Sequence, residues 1–198
     1  MFPLGSVLLP HAVLPLHVFE PRYRALVEAV LAREEPEFGV VLIERGSEVG
    51  GGDTRFDVGT GARVVDGARL PDGRIALTTI GTRRLRVRRW LPDAPFPQAE
   101  VELLDETAAG PGDDTRRTEV ERALRRVIAL ATELGADVGT TELALSVDPV
   151  RAGWEAAAVA PIGPLDALAI LATDDPGARL DRIAAALHEA AELLALRL

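Results

Sequence analysis

The stretch from Pro15 to Leu31, PLHVFEPRYRALVEAVL, does most to limit what this chain can fold into. An extended apolar lead-in, MFPLGSVLLPHAVL, runs straight into a helix whose start is set by proline. Pro21 suits the first helical position, where its missing N–H costs nothing and its φ is already helical. Tyr23, Leu26, Val27, Val30 and Leu31 follow at helical spacing and form one apolar stripe. Glu20 is expected to cap the helix, its carboxylate accepting free N–H groups and favoured by the helix dipole.

The residues around this helix read as strands. Ser6–Leu9 and Ala12–His17 are short apolar stretches split by Pro10. Phe38–Ile43, FGVVLI, is a continuous β-branched run, as a strand buried on both faces requires. Gly46, Gly50, Gly51 and Gly52 mark a loop between Glu44 and Asp53. Further strands are expected at Phe56–Val65, Arg74–Ile80, Thr82–Trp90 and Ala99–Leu104, with a turn at Pro71, Asp72 and Gly73 and a bend at Gly81.

At ETAAGPGDDT, residues 106–115, glycine, proline and acids cluster and the pattern changes. Beyond it the period is helical. Glu119–Leu134 carries Val120, Leu124, Val127, Ile128 and Leu134 on one side, with Gly135 as its C′ residue. Pro149–Val159 and Pro164–Ala172 begin with proline, and a last helix runs from Pro176 towards Leu196 behind an Asp175 N-cap. The expected organisation is therefore a β-rich domain over 1–105, a linker over 106–115 and a helical subdomain over 116–198. The fold class is α+β, strands first and helices later.

Composition excludes several function classes. The chain has no cysteine, hence no disulfide or thiolate metal site. It has no lysine, so its own residues supply neither a Walker A lysine nor a serine–lysine pair. Ser6, Ser47 and Ser146, the only serines, have no motif around them. Net charge is −9. Residues 1–105 hold 13 arginines and 15 acids, whereas 106–198 hold 9 and 16, so the acidity lies in the helical half. That balance argues against a general nucleic-acid binder. No apolar run reaches the roughly 20 residues of a membrane span, and the N-terminus lacks a basic region and cleavage site. A cytoplasmic protein is expected. Lysine-free, arginine- and alanine-rich usage fits the codon bias of a high-G+C bacterial genome.

FPLGSVLLPHAVLPLHVFEPRYRALV, from Phe2 onwards, resembles the opening signature of the LON substrate-binding domain, the amino-terminal domain of Lon proteases. The order of FGVV, a GT before a strand, DGR, GTRRLRV and a proline-rich turn into AEVELL extends the resemblance to about residue 105. It implies a small twisted pseudo-barrel of the PUA-like kind with the first helix packed on it, then a helical bundle. It also implies the recognition domain without motor or protease: a non-catalytic, cofactor-free module whose partners are exposed or unfolded polypeptide segments or a specific protein. A proteolysis-related adaptor would be one such module.

Phe19, Arg22 and Tyr23 carry the signature, and Phe56 and Phe96 are candidate exposed aromatics; together they form the expected peptide-binding set. The signature also reads as a structural corner, with Phe19 in the core, Glu20 capping and Arg22 held by a carboxylate or by carbonyls, and each residue type suits that role. The alternative site is nucleic-acid binding by Arg84, Arg86 and Arg88 on one strand face, with Trp90 joining them if alternation persists. Against it, Glu100 and Glu102 are placed to pair with these arginines across strands. Asp113/Asp114 and Asp174/Asp175 are expected to cap helices. His11 and His17 lack a third ligand at metal-binding spacing.

Overall fold

β1 (Phe2–Leu4) lies parallel to β3 (Glu37–Arg45), and the remaining ladders are antiparallel: β3 with β4 (Thr54–Arg69), β4 with β5 (Ile75–Leu91), β5 with β2 (Val13–Val18) and β5 with β6 (Gln98–Leu103). The computed structural model describes residues 1–48, 50, 52–136 and 144–198, so Val49, Gly51 and part of the stretch after Gly135 lie outside the described residues. The first strand is thus Phe2–Leu4, not Ser6–Leu9. Leu8 and Leu9 are buried without a ladder, and the Leu8 carbonyl instead accepts the Thr60 hydroxyl at 2.6 Å. The chain divides into two compact units, Met1–Asp105 and Glu106–Leu198.

In the first unit the ladder order is β1-β3-β4-β5-β2, with β6 on β5. Phe2 and Leu4 from one edge strand, and Leu16 and Val18 from another, enter the same core as Tyr23, Leu26, Val27 and Val30 of α1 (Pro21–Leu31). The sheet therefore rolls around α1 while its ladder stays open. β3 explains its unbroken apolar sequence: Phe38 and Val40 face this core, whereas Val41 faces a second cluster with Leu85 and Val87. Each fully buried aliphatic contributes about 1.5–3 kcal/mol.

β5 is one 17-residue strand rather than two. Gly81 keeps its place in the ladder, and its close approach to another backbone explains the glycine. An added Cβ would stand 2.1 Å from the Leu9 carbonyl oxygen. β4 and β5 close through Leu70–Arg74, where the Gly73 N–H reaches the Leu70 carbonyl at 2.9 Å and Gly73 takes φ +82°. Pro71 at the second turn position and a left-handed Gly73 suit this hairpin.

The second unit holds α2 (Asp113–Glu133), α3 (Pro149–Val159), α4 (Pro164–Leu171) and α5 (Pro176–Ala195). α2 begins earlier than Glu119, inside the stretch read as linker. Its N-cap is Gly112, not an aspartate. Asp113 is buried in the first turn, where it accepts the Gly110 N–H at 2.7 Å and pairs with Arg116 at 3.2 Å. Asp175 does cap α5, accepting the Ala178 N–H at 2.7 Å. Gly135 ends α2: its N–H meets the Thr132 carbonyl and that of Ala136 the Ala131 carbonyl, the two bonds of a Schellman turn. Arg179, on α5, is buried against the Trp154 ring at 3.9 Å and donates to the Thr173 and Asp174 carbonyls and the Glu106 carboxylate. A buried guanidinium is tolerable only with its donors so occupied.

Candidate recognition site

The signature builds a corner at the start of α1. Glu20 is the N-cap residue, but its carboxylate caps nothing in the helix. It pairs with Arg22 Nε at 3.1 Å and accepts the Gly50 N–H at 3.4 Å. Arg22 also donates to the Glu48 carbonyl at 3.2 Å and lies 4.4 Å above the Tyr23 ring. Glu20 and Arg22 together tie the β3–β4 connection to α1. Tyr23 is buried, its ring stacked on Phe2 at 4.2 Å. Its hydroxyl has no hydrogen-bond partner, and burial pushes the phenol up to about 12.

The five expected residues therefore stand in different settings. Arg22 and Tyr23 serve the corner. Phe19 is not in the core; it is 52% exposed. Phe56 is half-buried, and Phe96 is half-buried against the main core. A cluster unseen in the sequence adjoins the corner. Asp53, with its side chain only 1% exposed, pairs with Arg55. The Arg55 guanidinium lies 4.7 Å from the Trp90 ring centroid and 3.6 Å from Asp93. Burial alone would raise the Asp53 carboxyl, but its bonds to Arg55 and the charges of Arg55 and Arg22 outweigh that and hold it low.

The arginine strand does not present one open face. Arg84 is buried, 1% exposed, and Arg86 is half-buried. Arg88 pairs with Glu102 and Arg89 with Glu100, the cross-strand pairing that the acidic sequence of β6 allows. Val87 opposes Val101 and Arg89 opposes Glu100, so Arg88 is an extra residue in the ladder. That bulge reverses the alternation. Trp90 consequently packs beside Val41, Leu85 and Val87, on the side opposite to the one expected. Among the described residues no three His, Cys, Asp or Glu side chains gather as a metal site needs, and no helix is long and apolar enough to cross a membrane.

An apolar groove opens elsewhere in the first unit, between α1 and the β4–β5 hairpin. Its volume is about 330 Å³. Leu31 and Val65 border it, 52% and 50% exposed, and Val27, Ile75 and Leu77 lie beneath. Leu31 was expected on the buried stripe; it closes the stripe at its exposed end. Glu28 and Arg69 pair across the rim at 2.9 Å. The groove exists because β4 outruns β3. The last β3–β4 pair is Glu37 with Arg63; the Val64 N–H still reaches the Pro36 carbonyl at 2.9 Å, and from Val65 onwards β4 is paired with β5 alone. Val65 is the extra residue of a bulge between Val64 and Asp66. The adjacent valines Val64 and Val65, which break the alternation, were a sequence signal for the bulge alone.

The chain is similar to known proteins over most of its length. The family model described as the ATP-dependent protease La (LON) substrate-binding domain matches residues 1–189. The chain is 34% identical to Lon protease 2 of Sorangium cellulosum over 105 residues, covering 52% of this chain and 13% of that protein. It is 26% identical to the Lon protease of Escherichia coli K12 over 98% of this chain and 25% of that protein. The chain thus spans about a quarter or less of the curated relatives it matches. Among solved structures, it resembles a Lon N-terminal domain protein from Xanthomonas campestris at 30% identity and TM-score 0.67, covering 93% of this chain and 95% of that one. The N-terminal domain of Mycobacterium avium complex Lon protease shares the fold at 18% identity and TM-score 0.65, covering 94% and 97%. A rolled open sheet around α1, helices following it, and a family match over nearly the whole length lead to one conclusion: the chain belongs to the LON substrate-binding domain family.

Proposed function

We propose that this protein recognises exposed apolar segments of other polypeptides, noncovalently, in the groove between α1 and the β4–β5 hairpin. One observation carries the reading: Leu31 and Val65 stand half-exposed on facing walls of a groove with an aliphatic floor. Exposed apolar surface gathered in a concavity is where a peptide side chain gains most by leaving water. Membership in a family named for substrate binding supports it. Of the five residues expected at the sequence level, Phe19 is open enough to add a second contact. The natural role is that of an adaptor, holding unfolded or exposed segments for a separate protease.

The test is fluorescence anisotropy with labelled α-lactalbumin, either native or reduced and carboxymethylated so that it stays unfolded. The unfolded form is expected to bind and the native form to bind far less. Leu31→Asn should weaken binding about tenfold, the equivalent of about 1.4 kcal/mol of lost apolar contact. Equal binding of both forms, or an unchanged Leu31→Asn variant, would overturn the proposal.

A further inference from the structure

The hairpin beside the groove has a free backbone edge, and its hydrogen-bond phase can be counted. The Leu70 N–H donates to the Arg74 carbonyl at 2.8 Å, so this pair is hydrogen-bonded. In an antiparallel ladder the pairs alternate. Arg69, opposite Ile75, and Gly67, opposite Leu77, are therefore the non-bonded pairs, with N–H and C=O turned away from β5. Among the described residues no strand lies on that side: β3 ends its pairing at Arg63, and the last backbone bond across is from the Val64 N–H to the Pro36 carbonyl. Residues 65–69 are all exposed. Two outward N–H/C=O sets two residues apart are the spacing an added strand uses.

Side chains agree with this placement. Ile75 and Leu77 face the core, so Arg69 and Gly67 opposite them face α1 as well, and Arg69 there meets Glu28. A strand laid along the edge would lodge every second side chain against Leu31 and Val65. Asp66 occupies one docking point already: its Oδ1 accepts the Gly67 N–H at 2.9 Å. A charged residue that covers an edge N–H is a recognised guard against indiscriminate pairing.

Other edges fit less well. β2 is interrupted by Pro15, which has no N–H to offer. β6 carries exposed Val101 and Leu103, but the hollow beside it is lined by Arg33, Glu35, Glu37 and Arg83, a polar wall against an apolar segment.

We infer that the bound segment is extended and adds as a strand to the outer edge of β4 at Gly67 and Arg69, displacing Asp66, with alternate aliphatic side chains in the groove. This rests on the recognition reading above and specifies the form of the substrate: a β-strand with apolar residues at every second position and basic residues between them. The basic residues complement Asp66, whose carboxylate is released as the strand docks. Main-chain bonds would give affinity and the groove would select side chains.

The probe is a fluorescein-labelled nine-residue peptide alternating valine and lysine, titrated into the full 198-residue chain. Two further copies carry backbone N-methyl groups on every second residue, one in each alternation. At least one N-methylated copy should lose binding about tenfold or more, since a blocked strand edge cannot pair. Arg69→Pro should weaken the unmodified peptide well beyond Arg69→Ala. Both variants lose the Glu28 pair, but only proline removes the outward N–H. If all three peptides bind alike, strand addition is wrong while the recognition reading survives. If the unmodified peptide and unfolded α-lactalbumin both fail to bind, the recognition reading falls and takes strand addition with it. N-methylation alters no protein residue, so these outcomes do not depend on a variant's folding.

Discussion

Arg22 holds four groups at once: the Glu20 carboxylate, the Glu48 carbonyl, the Tyr23 ring and, through Glu20, the Gly50 N–H. Its side chain is largely covered. Arg22→Ala should cost about 1–3 kcal/mol, read as a lower thermal midpoint, while peptide affinity of the folded fraction stays unchanged. Tyr23→Phe should behave oppositely. The hydroxyl it removes is buried and unbonded, so stability should hold or rise by up to about 1 kcal/mol in urea unfolding. Asp53 sets a pH dependence. Its folded-state carboxyl lies below its ordinary value of 3.8, so its contribution is complete above that value and is lost as pH falls through the lower folded value. Asp53→Asn should flatten the acid limb of a stability–pH profile below about pH 4. The sequence showed which residue types make the corner, but not that Glu20 turns from the helix to Arg22. That choice depends on a loop arriving from 30 residues away.

Elements with local signals were legible. Pro149 and Pro164 open their helices, Asp175 caps α5 and Gly135 closes α2. Each is decided within a few residues, so periodicity and turn chemistry suffice. Register was not legible. The bulge at Arg88 moves Trp90 across the sheet, and one at Val65 shapes the groove; both depend on partner strands. Gly81 shows how tight this packing is. Gly81→Ala places a Cβ against the Leu9 carbonyl oxygen, which cannot move as a side chain end would. It should cost about 2 kcal/mol or more by denaturant titration, and β2 and β5 should lose amide exchange protection first.

At the scale of the molecule, the chain pairs a rolled sheet with a helical unit that carries most of the net negative charge. The fold class followed from the order of periods along the sequence. The groove did not, because it arises from one strand outrunning its neighbour, a relation between lengths that no local motif records. It lies beside a free edge, and the proposal is that polypeptide is held there, between α1 and the β4–β5 hairpin. The most direct measurement is a ¹H–¹⁵N NMR titration of the chain with reduced, carboxymethylated α-lactalbumin. Amide shifts should concentrate at Leu31, Val65, Gly67 and Arg69. Shifts confined to the helical unit or to Arg86 and Arg88, with the groove unchanged, would contradict it.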